Sequence, residues 1–198
     1  MLTIEFFSAL VLCYMIGAVP TGVILTRGAG IGDIRQAGSG NIGATNVYRV
    51  AGRKLGILTL VGDALKGMVP MLIAVHIFEL NEIKLALVAL LLFVGHCYPV
   101  YLNFKGGKGV ATGLGIYLVL SPLAVLGALL VFAGVLWTWR YISLASVIAA
   151  AAVPIFVYLH AGSLPLLLTA TVISTLVVAR HRANIERLRA GTESKFRP

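Results

Sequence analysis

Three polar stretches interrupt an otherwise apolar chain, and each carries side chains suited to an anion. The first runs Gly38-Ser39-Gly40-Asn41-Ile42-Gly43-Ala44-Thr45-Asn46-Val47-Tyr48-Arg49. Its glycines let backbone N–H groups approach an anion closely. Ser39, Asn41, Thr45 and Asn46 add neutral hydrogen bonds, and Arg49 offers a bidentate fork for phosphate or carboxylate. The second stretch, Phe104-Lys105-Gly106-Gly107-Lys108-Gly109-Val110-Ala111-Thr112-Gly113, combines glycine N–H groups with two ammonium groups and the start of a helix. It is not a Walker A motif: Leu102 stands where the first glycine belongs, and Gly109 rather than Ser or Thr follows the lysine. The third, Arg180-His181-Arg182-Ala183-Asn184-Ile185-Glu186-Arg187-Leu188, sets His181 and Asn184 three apart, on one face if the helix continues. By itself this third stretch also suits a basic tail that binds anionic headgroups.

The same residues exclude other chemistry. No His/Cys/carboxylate cluster has metal-ligand spacing, so no metal and no cofactor are expected. Cys13 and Cys97 both fall in apolar stretches and form no disulfide framework. Asp63 and Lys66, three apart within an apolar window, suit a mutually neutralising pair beneath the polar loops. Ser143 and Ser146 stand at the start of another window. Ser146 is the one expected to lend its hydroxyl to the site, and Ser143 reads as an ordinary helix-terminal serine.

The elements that position these groups are membrane helices. Of 198 residues, 59% are hydrophobic and only 12% charged, far from the soluble range. A helix needs about 20 apolar residues to cross the hydrocarbon core. Windows 6–26, 85–103, 123–139, 143–159 and 163–179 contain no Asp, Glu, Lys or Arg, and 55–78 contains only Asp63 and Lys66. A seventh, 110–122, is short and predicts a half-depth or kinked segment ending at Ser121-Pro122. Met1 to Phe7 has no basic residue, so the first window is expected to be a membrane helix rather than a secretory signal.

Net charge +9 is first a matter of orientation, and no nucleic-acid partner is expected. Arg27, Arg35, Arg49, Arg53 and Lys54 fill the first loop, Lys105 and Lys108 the third and Arg140 the fifth. Arg180, Arg182, Arg187, Arg189, Lys195 and Arg197 fill the tail, and the alternate loops carry only Lys84. That parity predicts an all-α polytopic membrane protein of about seven transmembrane segments, one of them short. Its N-terminus lies outside and its C-terminus in the cytoplasm. Residues 1–198 then form a single membrane domain with cytoplasmic loops at 27–54, 104–113 and 180–198. All three polar stretches meet the same compartment.

In residue content, spacing and order these stretches resemble the three motifs of the bacterial acyl-phosphate:glycerol-3-phosphate acyltransferases, and the resemblance spans the whole chain. It implies transfer of a fatty acyl group from acyl phosphate to the 1-hydroxyl of glycerol 3-phosphate, giving lysophosphatidic acid and inorganic phosphate. It implies that Ser39, Arg49, His181 and Asn184 are needed for activity. It also implies that the loop of Lys105, Gly106, Gly107, Lys108 and Gly109 is part of the glycerol 3-phosphate site, and Asn41, Thr45, Asn46, Thr112 and Ser146 are expected to support substrate or phosphate binding. The enzyme is expected in the bacterial cytoplasmic membrane, among membrane lipids and functional as a monomer. His181 or a substrate phosphate oxygen would accept the hydroxyl proton, and Ser39 would serve as hydrogen-bond donor or as nucleophile. A carrier for organic phosphates would use the same cations. Carriers usually bind near mid-membrane on broken helices from repeats, whereas these motifs gather at one face.

Overall fold

A computed structural model describes residues 3–196; Met1 and Arg197, named above, lie outside the described residues. Among the described residues all regular structure is helical. The chain falls into two compact units, Met1–Ile116 and Tyr117–Pro198.

The first unit contains α1 (Ile4–Ala18), α2 (Thr21–Gly28), α3 (Ala44–Ala51), α4 (Arg53–His76), α5 (Glu82–Cys97) and the opening of α6 (Val110–Leu120). Window 6–26 was expected as one span, but it is a helix pair bent by 45° between α1 and α2. Pro20 causes the break: it lacks an N–H and pushes Val19 out of the helical region, to φ −55° and ψ 117°. α1 crosses α5 at glycines. A Cβ on Gly17 would strike the Leu92 carbonyl, and one on Gly95 would strike the Tyr14 carbonyl. Close backbone approach of this kind is how helices associate where lipid removes the hydrophobic drive. α4 and α6 repeat the device, because a side chain at Gly115 would meet the backbone of Ala64 and one at Gly67 that of Thr112.

The second unit holds the rest of α6, then α7 (Pro122–Trp139), α8 (Ile142–Ala161), α9 (Leu164–Arg180) and α10 (Arg182–Arg189). α7 packs on α8, α8 on α9, and α10 against both α8 and α9. Pro122 opens α7, where a missing N–H costs nothing. Ser163 caps α9 by accepting the Leu166 N–H at 3.4 Å.

Four helical spans, α4, α5 with its following turn, α7 and α8, are long and apolar enough to cross a membrane, and the bent pairs α1–α2 and α9–α10 each qualify as a broken span. α6, with 11 residues, is the short one. At 1.5 Å per residue it extends about 16 Å, roughly half the hydrocarbon thickness. Apolar side chains also cover the outside: Ile4, Val11 and Leu12 on α1 and Leu123, Leu126 and Leu130 on α7 are all exposed. Lipid, not water, is the solvent for such a surface.

Candidate active site

In the first unit, the loop between α2 and α3 is organised by two polar side chains. Asp33 caps a 3₁₀ turn at Ile34–Gln36 by accepting the Arg35 N–H at 3.1 Å. Its carboxylate also takes the Arg35 Nε at 2.9 Å and the Arg27 guanidinium at 2.7 Å. These bonds, that of the Arg35 side chain foremost, hold the Asp33 carboxyl well below the usual carboxylate range.

Asn46 is the second organiser, and it is buried. Its Oδ1 accepts the Ser39 N–H at 2.8 Å, while its Nδ2 donates to the carbonyls of Asn41, Ala37 and Ile34 at 2.9, 3.1 and 3.3 Å. Gly38 makes this possible, with φ +59° and no room for a Cβ beside the Asn46 amide. Asn41 turns the chain into α3 by accepting the Gly43 N–H at 2.9 Å. Ser39 is left exposed on the loop, Thr45 is half-buried in the first turn of α3, and Arg49 is exposed in its last turn.

The second motif lies on the end of α5. Gly107 N–H donates to the His96 carbonyl at 3.1 Å. A Cβ on Gly106 would collide with that carbonyl and with the Pro99 ring, and one on Gly107 with the His96 imidazole. Gly109 has φ +81° and is pressed against the Phe93 ring. Non-glycine residues here would break the seating of the loop. Asn103 and Phe104, at φ +50° and +61°, turn the chain into it, conformations that non-glycine residues rarely adopt. Lys105 is exposed and Lys108 half-buried, just before α6 and its N-terminal dipole. Thr112 is fully buried, and its hydroxyl has no hydrogen-bond partner among the described residues.

An apolar cluster joins the two motifs. Val23 of α2, Ile34 and Ile42 of the first loop, Val47 of α3 and Leu102 of the turn entering the second loop are buried together. The chain of Ser39 and Arg49 is thereby fastened to the chain of Lys105 and Lys108. Beneath them, Asp63 and Lys66 form the expected pair at 2.9 Å. Lys66 Nζ also donates to the Val19 carbonyl at 2.7 Å, at the α1–α2 break, and the Asp63 carboxylate lies 3.7 Å from His96 Nδ1.

The third motif belongs to the second unit. The helix does not continue straight through it, because α9 and α10 meet at 54° with His181 at the joint. His181 is buried, and its Nδ1 lies 2.8 Å from the Val177 carbonyl. Facing a carbonyl oxygen, Nδ1 is the donor, so in the neutral form of the ring the lone pair would be on Nε2. Asn184 N–H donates to the His181 carbonyl at 2.8 Å. Glu193 then gathers three donors: the Asn184 amide at 2.7 Å, the Arg187 Nε at 2.7 Å and the Ser143 hydroxyl at 2.6 Å. Ser143 is thus more than a helix-terminal serine. Ser146, named as the site serine, is buried one turn further along α8.

A family model described as glycerol-3-phosphate acyltransferase matches residues 7–191. The chain belongs to the glycerol-3-phosphate acyltransferase family. Among curated members, the glycerol-3-phosphate acyltransferase of Syntrophotalea carbinolica is 61% identical over 193 residues, 98% of either chain. That of Geobacter sulfurreducens is 55% identical over 185 residues, 93% of this chain and 94% of its own. The crystal structure of PlsY (YgiH), an integral membrane glycerol 3-phosphate acyltransferase in its glycerol 3-phosphate form, superposes with TM-score 0.92 at 41% identity over 98% of this chain and 96% of its own. The lysophosphatidic acid form of that acyltransferase gives TM-score 0.89 at 40% identity over the same shares.

Two features of this acyltransferase escaped sequence reasoning. Glu193 stands in a basic tail, just beyond the end of α10, and an acid there is the signal to look for a pairing. His96 was visible only as a polar residue ending an apolar helix, with no hint that a glycine loop rests on it.

Proposed function

We propose that this acyltransferase uses acyl phosphate as donor, moving its acyl group to the 1-hydroxyl of glycerol 3-phosphate and releasing lysophosphatidic acid and inorganic phosphate. The observation that carries the reading is the apolar cluster of Val23, Ile34, Ile42, Val47 and Leu102. It sets a loop of neutral donors and an arginine beside a loop of glycines and two lysines, a combination suited to phosphate. The neutral Ser and Asn donors distinguish this from a purely cationic lipid anchor.

The attacking hydroxyl forms a new ester bond as the acyl carbon–oxygen bond to phosphate breaks. Phosphate is a good leaving group, so positioning and charge stabilisation supply much of the rate. Lys105, Lys108 and Arg49 balance phosphate charge, with the Lys-Gly loop taking glycerol 3-phosphate. The hydroxyl proton passes to His181 Nε2 or to a substrate phosphate oxygen. Ser39, exposed on its loop, acts as a hydrogen-bond donor. Asn46, expected at first to touch phosphate, is better suited to shaping the Ser39 loop, its amide being fully engaged by backbone.

The alternation of basic and neutral loops supports a cytoplasmic position for the three motifs at the bacterial inner membrane. A monomer carries every group the reaction requires. Purified protein in detergent, given acyl phosphate and glycerol 3-phosphate, should form lysophosphatidic acid without coenzyme A. Activity with acyl-coenzyme A but not acyl phosphate would overturn the donor assignment. Movement of glycerol 3-phosphate into sealed vesicles without product would favour a carrier.

A further inference from the structure

We propose that Asp63, Lys66 and His96 are positioning residues for glycerol 3-phosphate, holding the Gly106-Gly107 backbone in its binding shape from beneath. The proposal rests on the reading of that loop as the glycerol 3-phosphate site. Asp63, Lys66 and His96 are all buried in the first unit, where an ion pair is costly unless each charge is well placed. Lys66 is fixed from both sides, by Asp63 at 2.9 Å and by the Val19 carbonyl at 2.7 Å. Asp63 in turn faces His96 Nδ1 at 3.7 Å. The imidazole supports the loop directly: its Nε2 side occupies the space where a Gly107 side chain would stand, and its own carbonyl accepts the Gly107 N–H at 3.1 Å. A continuous line of contacts therefore runs from the α1–α2 break, through α4 and α5, to the backbone between the two lysines.

None of these three side chains needs to touch substrate to matter. A loop that brings two lysines to phosphate works only when its backbone holds them in place, and a displacement of about 1 Å can cost a large factor in productive binding. Bulk apolar packing would fill the same volume without fixing the orientation of the imidazole. The Asp63 carboxylate, held by Lys66, instead faces the Nδ1 edge of the ring with a charge 3.7 Å away.

Two variants test this. Asp63→Leu with Lys66→Met removes both charges at similar volume, which leaves no lone buried ion. His96→Phe keeps a ring under Gly107 but cannot answer Asp63. In detergent, each is expected to raise the glycerol 3-phosphate KM about tenfold, leaving the acyl-donor KM near wild type. A normal glycerol 3-phosphate KM in either folded variant would overturn the proposal, and so would an equal rise in both KM values. If the paired variant fails to fold, His96→Phe decides alone. Lys108→Ala separates the two levels of the argument. If it raises the glycerol 3-phosphate KM while the buried variants do not, only the positioning role falls. If it leaves that KM unchanged, the loop is not the glycerol 3-phosphate site and both readings fall together.

Discussion

Glu193→Ala would strip the acceptor from three donors at once, the Ser143 hydroxyl, the Asn184 amide and the Arg187 guanidinium. Hydrogen bonds to a charged group contribute about 1.5–3 kcal/mol each. The variant should melt well below wild type in detergent, and Glu193→Gln should recover part of the loss. Burial by itself would raise the Glu193 carboxyl, but the bonds from Ser143, Asn184 and Arg187 outweigh it and hold the group below its ordinary value of 4.5. A carboxyl held low stabilises the fold above its ordinary pKa, and that contribution disappears as pH falls through the folded value. Below pH 4.5 the wild-type melting temperature should therefore drop more steeply than that of Glu193→Gln. His181→Ala should lower the turnover of the folded protein by about 10² or more if the imidazole is the base. Near-normal turnover would leave the substrate phosphate as the base. Residue types were legible in the sequence, but their duties were not. Every asparagine offers the same donors and acceptor, and only their partners separate Asn46, which binds backbone carbonyls, from Asn184, which binds the Glu193 carboxylate.

Helix positions came from hydropathy with small error. Windows 55–78, 123–139, 143–159 and 163–179 correspond to α4, α7, α8 and α9, each within two residues at either end. Window 85–103 runs past α5, which spans Glu82–Cys97, into the turn that follows it, and the other departures are the bends. Pro20 announces the first one, which a count of apolar residues passes over. The second, at His181, has no proline or glycine to mark it, and the sequence there reads as a helix that continues. The Glu193 contacts that accompany it join residues distant in sequence, Ser143 and Asn184, and no local rule anticipates them. At the α1–α5 crossing, the glycines decide the spacing between helices. Gly95→Leu places a branched side chain against the Tyr14 carbonyl. Overpacking of this kind costs about 1–3 kcal/mol, so a clear fall in melting temperature is expected, whereas Gly134→Leu, with open space around it, should melt like wild type.

For the whole molecule, composition established the membrane class before any motif was considered. Orientation rests on the distribution of arginine and lysine, and it is open to direct test. With the native cysteines replaced, a cysteine at Ser194 should resist a membrane-impermeant thiol reagent in intact cells and react once the membrane is opened. Labelling from outside would reverse the proposed topology. Division into two compact units was not legible, because the boundary falls inside the short helix α6, where hydropathy is unbroken.

Gly109 sits against the Phe93 ring, one helical turn before α5 ends, and Lys108 beside it in the loop is half-buried. Screening by dissolved salt has a range of about 8 Å at 0.15 M and about 3 Å at 1 M, and it acts most strongly on cations that stand in open water. Half-buried Lys108 is largely sheltered from those counterions, whereas exposed Lys105 is not. Raising ionic strength from 0.15 to 1 M should therefore weaken glycerol 3-phosphate binding only modestly, and Lys105→Ala should remove most of the salt dependence that wild type shows.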